Sequence, residues 1–274
     1  MPPDVRSTGY RFQDCTDVPH GVSGCHRGWV PGCARGGPPL ESQCPPAPRF
    51  TLAARRCPIA TVAGSGSSAN PALHFAESYV PEDLVLRTAR SLANEIGLDA
   101  VTPGAGAALR LLAAAGNARA VVEIGTGTGV SGVWLLRGMR PDGVLTTIDV
   151  EVEHQRIARR IFTEAGFVAG RTRIITGRAL DVLPRLADGA YDLVFVDAEA
   201  TGFTACVDAA LRLLRPGGVL VLNGALAGGR IGDPAARDAE TVTVREAVKA
   251  IRESEHWIPA LLPVGHGLLA AVRC

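Results

Sequence analysis

The residues best placed for chemistry lie in one short stretch, residues 121–130, with the sequence VVEIGTGTGV. An acidic residue, Glu123, is followed by glycines at every second position, namely Gly125, Gly127 and Gly129. Glycine permits sharp turns and lets backbone N–H groups approach a ligand without an intervening Cβ. Asp149 ends the next apolar segment, where a carboxylate can accept hydrogen bonds from both hydroxyls of a ribose. The pattern therefore predicts a loop that binds a nucleotide-like cofactor.

This loop would be positioned by strands and helices that alternate regularly from about residue 81 onward. Apolar segments such as AVVEIG, GVLTTIDV and YDLVFVDA predict buried strands, and amphipathic segments such as EHQRIARRIFTEAG predict the helices between them. Such alternation is typical of a parallel sheet covered on both faces. The final segment, WIPALLPVGHGLLAAVRC, instead predicts two strands joined by a Gly-rich turn, hence an antiparallel hairpin. The predicted fold is α/β: a doubly wound, Rossmann-like sheet of seven strands, mostly parallel, closing in that hairpin.

Two kinds of cofactor compete for the glycine loop. The pyrophosphate of a dinucleotide is usually held by G-x-G-x-x-G at an open helix N-terminus, whereas this loop reads G-x-G-x-G. Glu123 stands two residues ahead of the first glycine, and a carboxylate there suits a cationic ligand such as the methionyl ammonium of S-adenosylmethionine (SAM). The closing hairpin also fits a methyltransferase sheet better than a nicotinamide fold. We therefore predict SAM as the cofactor, with a nicotinamide-dependent dehydrogenase as the alternative.

Composition limits the partners. The formal net charge is +1 and the basic residues are scattered, so the sequence predicts no nucleic-acid face and no anionic membrane partner. No apolar run approaches the length needed to span a bilayer, and the first residues lack the apolar stretch of a secretion signal. We therefore expect a cytoplasmic protein that acts on a small molecule.

Residues 1–70 differ in composition from the rest of the chain. They are rich in Pro, Gly, Ser, Arg and Cys and show no sustained helical or strand period, so they would bury too little apolar surface to offset their ordering entropy. Most of the cysteines lie here, but no pair has the C-x₂₋₄-C spacing of a structural zinc site. The hypothesis is a disordered tail or an over-extended reading of the gene at 1–70, followed by a single methyltransferase domain at 71–274.

The regular part of the chain, residues 80–274, resembles the SAM-dependent O-methyltransferases of the catechol and caffeoyl-CoA type, specifically the small bacterial family 3 branch. The segments that carry the resemblance are AVTPGAGAALRLL, VVEIGTGTGVSGVWLL, LTTIDVEVEHQRIAR, YDLVFVDAEA, LRLLRPGGVLVLN and LLPVGHGLLAAV. The resemblance implies a class I methyltransferase fold. It also implies transfer of a methyl group from SAM to a hydroxyl of a small molecule, aromatic or not.

The resemblance also assigns the residues of the donor site. Glu123 would bind the methionyl ammonium, and Ser131 would reach the carboxylate from the start of a helix, although a serine there is also a common capping residue. Asp149 would hold the ribose, with Val150 beside the adenine and Ala179 near its edge. The other cofactor contacts implied by the resemblance are Val101, Gly125, Thr126 and Glu199.

On the acceptor side, the sequence has only some of the metal-binding residues that are usual in the family. Catechol-type relatives activate the acceptor with a divalent cation, held by an Asp that ends one strand and an Asp-Asn pair after the next. Here Asp197 occupies the first position, beside the sulfonium at the mouth of the acceptor pocket, but the pair falls on Asn223 and Gly224. The position of an assisting lysine is Ala200. Because a hard cation prefers several charged oxygen ligands, Asp197 and Asn223 would form at most a weak metal site.

Without a strong metal site, a side chain would have to accept the proton of the acceptor. Asp197 and His266, which lies in the VGHG turn of the closing hairpin, are the candidates. An Asp that ends a strand can instead cap the next segment, and a hairpin histidine is often simply exposed. Two further hypotheses are an acceptor acidic enough to need little help and a degenerate SAM-binding module with little turnover.

Three other side chains are interpreted as structural. His154 and the single lysine, Lys249, are predicted to face solvent, and Cys206 is predicted to pack in the core. The resemblance further implies a homodimer formed through the helices ahead of the glycine loop, at residues 80–100.

Overall fold

One mixed β-sheet organises the chain in the computed structural model, which describes residues 70–198 and 202–274. The strand order is β3-β2-β1-β4-β5-β7-β6. Strands β1 to β5 pair in parallel, whereas β7 is antiparallel to both β5 and β6. The strands are β1 (Ala120–Ile124), β2 (Val144–Asp149), β3 (Thr172–Thr176), β4 (Tyr191–Val196), β5 (Leu214–Leu222), β6 (Trp257–Leu262) and β7 (Leu268–Arg273). The predicted fold class, including the antiparallel hairpin at the end, is confirmed.

Helices cover both faces of the sheet and form two apolar layers. One layer packs α2, α3, α4 and α5 against the sheet, and the other packs α6, α7 and α8. The helices are α1 (Pro71–Ser78), α2 (Leu84–Glu95), α3 (Pro103–Ala115), α4 (Val130–Gly138), α5 (Val152–Glu164), α6 (Ala179–Val182), α7 (Phe203–Leu213) and α8 (Ala239–Glu253). Within the described residues, none of these helices is both long and apolar enough to cross a bilayer.

Two boundaries differ from the sequence-based expectation. Regular structure begins ten residues earlier than expected, because Asn70 caps α1 by accepting a hydrogen bond from the backbone N–H of Ala72, and Pro71 pre-sets the first helical turn. The segment FTACVDAALRLLRPGG predicts a helix that stops at its glycines, but α7 ends at Leu213 and the RPGG residues lie in β5. The hypothesis about residues 1–70 and their cysteines lies outside the described residues, except for Asn70.

The register of the sheet brings four strand ends into one row. Ile124 of β1 pairs with Ile148 of β2 and Val196 of β4, and Val196 pairs with Leu222 of β5. The hydrogen-bond ladder continues for one residue beyond these ends. The bonds run from Gly125 N to Ile148 O at 2.9 Å, from Asp197 N to Ile124 O at 2.8 Å and from Asn223 N to Val196 O at 2.9 Å. The strand-end residues singled out in the sequence therefore lie side by side at the carboxyl edge of the sheet.

The contact between α3 and α4 depends on a glycine. An ideal Cβ at Gly106 would lie closer than 3.0 Å to the indole of Trp134, which is 1% exposed. Because protein cores tolerate little extra volume, Gly106 is required for these helices to pack at this distance.

We expect Gly106→Ala to lower the free energy of unfolding by about 1–3 kcal/mol through overpacking, despite the better helix propensity of alanine. Gly170→Ala is the matched control, because a Cβ there meets nothing within 4 Å. Urea unfolding of both variants measures the effect, and equal stabilities of the two variants would contradict this account.

Candidate active site

The glycine loop joins β1 to α4 and depends on left-handed backbone conformations. The φ angles are +97° at Gly125, +49° at Gly127 and +91° at Gly129. At Gly125 an ideal Cβ would lie closer than 3.0 Å to the carbonyl oxygen of Asp197. A glycine is therefore required here for two reasons, the positive φ and the close approach of the end of β4.

Asp149, at the end of β2, holds this loop in place. Its Oδ2 accepts hydrogen bonds from the backbone N–H groups of Thr126 and Gly127, each at 2.9 Å, and its Oδ1 accepts one from Glu151 N at 2.9 Å. A carboxylate offers about four acceptor positions, so Asp149 retains capacity for a ribose hydroxyl. Asp149, which was predicted to bind the ribose, thus also holds the loop in place, a structural role that the sequence did not indicate.

Glu123 lies beneath the loop in an unusual environment. The residue is 0% exposed, and neither carboxylate oxygen has a hydrogen-bond partner among the described residues. Burial raises the pKa of Glu123 to about 8, although the nearby hydroxyls of Ser131 and Thr147 lower it in part. A buried carboxyl group without partners is costly, and a cation placed beside it would remove most of that cost. The site therefore fits a positively charged group such as an ammonium.

A cavity of about 530 Å³ opens above the loop. Most residues predicted to contact the cofactor line its wall: Val101, Gly125, Thr126, Ser131, Asp149, Val150 and Ala179. Asp197 also lines it, whereas Glu123 does not. Glu199 and Ala200 lie outside the described residues. One cavity of this size accommodates a nucleoside-sized ligand.

Some residues that line this cavity were not expected there. His154, in the first turn of α5, was predicted to face solvent, but its side chain is 20% exposed and its Nδ1 lies 3.8 Å from Asp149 Oδ1. Cys206 is buried, as expected for a core residue, and also lines the cavity, and Asp99 comes from the connection between α2 and α3. The position of His154 just after a strand end is the signal that could have identified it.

A second cavity of about 360 Å³ adjoins the first. The two cavities share Asp99, Asp197 and Ala198, and the second is also lined by Asn223 and His266. The two candidate bases thus lie in the same cavity, although His266 does not line the first one. Lys249, on α8, is exposed and lines neither cavity.

Asp197 is the polar centre of this junction. Its Oδ1 accepts a hydrogen bond from Asn223 Nδ2 at 2.9 Å, and Asn223 Oδ1 is buried without a partner among the described residues. Burial raises the pKa of Asp197 to about 6; the Asn223 hydrogen bond lowers it, the Asp99 charge raises it, and His266 lowers it. At neutral pH the carboxylate is mostly ionised and able to accept a proton.

These side chains do not fit a strong divalent-metal site. Within residues 70–198 and 202–274, no group of three or more His, Cys, Asp or Glu side chains could hold a metal ion. Asp197 is the carboxylate at the predicted position, and Asn223 presents its N–H group to that carboxylate rather than its oxygen. At the two positions that the family uses, a hard cation would find one charged ligand among the described residues, fewer than such ions prefer.

The fold and the site together define a class of protein. A seven-stranded sheet with an antiparallel last pair, a glycine loop after β1 and an acidic residue at the end of β2 are the features of class I methyltransferases. Residues 73–274 match the family model described as O-methyltransferase, and the chain therefore belongs to the O-methyltransferase family.

Relatives and solved structures agree with this assignment. A protein of Mycobacterium marinum that carries the O-methyltransferase name is 58% identical over 198 residues, which cover 72% of this chain and 88% of that protein. A second, from Mycolicibacterium smegmatis, is 56% identical over 207 residues, covering 76% of this chain and 99% of the relative.

Among solved structures, one similar protein is the O-methyltransferase TomG of Streptomyces achromogenes, which is involved in tomaymycin synthesis and was solved with SAM. TomG is 34% identical with a TM-score of 0.67, and the match covers 74% of this chain and 96% of TomG. The Bacillus cereus O-methyltransferase, solved with the demethylated product SAH, is 28% identical with a TM-score of 0.66, covering 73% of this chain and 96% of that one.

The loop geometry predicts the outcome of Gly125→Ala. A positive φ at a non-glycine residue costs about 1–3 kcal/mol, and the clash with the Asp197 carbonyl adds to that cost. Gly166→Ala is the control, since Gly166 has φ +85° but open space around it. In thermal unfolding, Gly125→Ala should lose more stability than Gly166→Ala. In SAM calorimetry, Gly125→Ala should lose SAM binding, whereas Gly166→Ala should keep it. Equal effects would contradict the close-approach argument.

Glu123 predicts a pH dependence of stability. Because folding raises its pKa from 4.5 to about 8, the unfolded chain releases this proton at lower pH than the folded protein. The unfolding free energy of the ligand-free protein should therefore fall as pH rises from about 4.5 to about 8, by at most about 1.4 kcal/mol per pH unit.

We expect Glu123→Gln to remove this contribution. Urea unfolding across the window, compared with the exposed control Glu246→Gln, measures the difference in slope. A Glu123→Gln slope equal to that of the wild-type protein would show that Glu123 does not carry the effect.

Proposed function

We propose that this chain transfers a methyl group from SAM to a hydroxyl of a small acceptor, without a strong divalent-metal site. The observation that carries the proposal is the buried, unpartnered carboxyl group of Glu123 under the glycine loop, which fits the ammonium of the donor. SAM supplies an electrophilic methyl group on a sulfonium, which an oxygen nucleophile can displace directly. The neighbours solved with SAM and with SAH support the same donor.

The donor would occupy the larger cavity. Glu123 would bind the ammonium, Ser131 at the start of α4 the carboxylate, and Asp149 the ribose. Val150 and Ala179, which also line the cavity, would contact the adenine. In this arrangement the glycine loop passes under the donor without side chains that obstruct it.

The acceptor would occupy the second cavity. Asp197, which lines both cavities, would stand next to the reacting atoms, and His266 would be within the same cavity as the acceptor hydroxyl. Either side chain can take the hydroxyl proton, so that the oxygen attacks as an anion or near-anion. The chain's own residues would thus supply the activation for which catechol-type relatives use a cation.

Two further expectations belong to this proposal. A homodimer through residues 80–100 stays a prediction from the family resemblance. A small-molecule partner rather than nucleic acid is supported by the near-neutral net charge. A cytoplasmic location stays a prediction from the sequence. The dehydrogenase alternative has no support among the relatives described above.

A labelled-methyl assay of the full chain with SAM over a panel of phenols and catechols tests the proposal. We expect turnover that persists in EDTA and is not strongly stimulated by Mg²⁺. A loss of about 10²-fold or more in kcat for Asp197→Asn, with His266→Ala unaffected, would identify Asp197 as the base and exclude His266 from that role.

Strong Mg²⁺ stimulation abolished by EDTA would contradict the metal-independent mechanism. SAM binding without turnover on any acceptor would favour the degenerate binding module. Calorimetric binding of NAD but not of SAM would overturn the function itself.

A further inference from the structure

Hydrogen bonds hold the backbone of His266 in place although this residue lies in a turn. Its carbonyl oxygen accepts a hydrogen bond from Leu226 N at 3.1 Å, and the next carbonyl, of Gly267, accepts one from Ala225 N at 3.0 Å. Gly267 has φ +89°, and a Cβ there would lie closer than 3.0 Å to Leu226. The turn between β6 and β7 is therefore fixed against the segment that follows β5.

Glu77 of α1 also forms a hydrogen bond to this turn. Glu77 accepts hydrogen bonds from the backbone N–H of Gly265, one residue before His266, and from that of Gly104 at 2.9 Å. Gly104 lies in the first turn of α3. The hairpin turn is thus tied to the start of α3, close in sequence to Asp99.

The imidazole of His266 meets a second carboxylate. His266 Nε2 lies 3.1 Å from Asp99 Oδ2. Asp99 lines both cavities, so it stands at their junction together with Asp197. The other charged groups of the second cavity are Arg230 and Glu240, which pair with each other at 2.9 Å. Asp99 is therefore the carboxylate in contact with the imidazole.

We propose that Asp99 is a positioning residue for His266 and that His266 is the base that takes the proton of the acceptor. This inference rests on the proposed function. In the step, the acceptor O–H gives its proton to Nδ1 of the imidazole, because Nε2 faces Asp99. The oxygen forms a bond to the methyl carbon of SAM, and the C–S bond breaks with its electron pair remaining on sulfur. Asp99 stabilises the resulting imidazolium and orients the ring through its contact with Nε2.

Because Asp99 and His266 are exposed, the effect of their contact on catalysis can be measured separately from any effect on folding. The side chain of Asp99 is 80% exposed and that of His266 is 44% exposed, and exposed ion pairs contribute little to stability. Variants of Asp99 should therefore fold like the wild-type protein. A loss of rate in these variants would then result from a change in the orientation of the imidazole and not from unfolding.

The test compares kcat and KM of the wild-type protein, Asp99→Asn, Asp99→Glu, His266→Ala and the double variant. We expect Asp99→Asn to lower kcat about tenfold with KM for SAM unchanged, because the imidazole loses the carboxylate that orients it. Asp99→Glu should restore part of the rate. In the His266→Ala background, Asp99→Asn should have no further effect. The control is Asp142→Asn, an exposed aspartate that lines neither cavity.

Each outcome decides between the two hypotheses. No methyl transfer by the wild-type protein would refute the proposed function. Normal transfer by the wild-type protein with an unchanged kcat in Asp99→Asn, or additive effects in the double variant, would overturn the positioning role alone. Calorimetry with SAM completes the test, since weaker SAM binding by Asp99→Asn at unchanged kcat would assign Asp99 to the donor site instead.

Discussion

The site depends on the register of four parallel strands at one edge of the sheet. Because β2, β1, β4 and β5 end at the same level, the residues that follow them are neighbours in space although up to about a hundred positions separate them in the chain. The glycine loop after β1 approaches the backbone after β4 so closely that a Cβ at Gly125 would collide with the Asp197 carbonyl. This contact joins the glycine loop directly to the backbone of Asp197.

The proposed donor site has an unfavourable electrostatic arrangement in the absence of ligand. Glu123 is buried in β1, an interior strand of the sheet, without a partner for its oxygens among the described residues, and burial keeps its pKa well above the usual range. In the proposed function, this arrangement lowers the stability of the ligand-free protein and favours the binding of a cation. The same logic does not apply to Asp149, whose oxygens are occupied by backbone N–H groups and whose first role is to hold the loop.

The proposed acceptor cavity is assembled from elements that are distant in sequence. Asp197 and Asn223 follow adjacent strands, His266 comes from the final hairpin, and Asp99 comes from the connection ahead of α3. With Asn223 and Gly224 in place of an Asp-Asn pair, one charged ligand that catechol-type relatives offer a hard cation is missing. An imidazole held by a carboxylate is a chemically reasonable replacement, because it too can remove a proton from a hydroxyl.

The sequence by itself determined the fold class and the donor loop, because both depend on short-range patterns. Strand and helix periods, glycine spacing and an acid at a strand end are all local features, and the parallel sheet follows from their alternation. The role of Asp149 in holding the loop, the place of His154 in the cavity wall and the pairing of Asp99 with His266 required the tertiary structure. These contacts join residues whose proximity results from sheet register and hairpin packing, and side-chain burial and pairing of that kind leave no periodic signal in the chain.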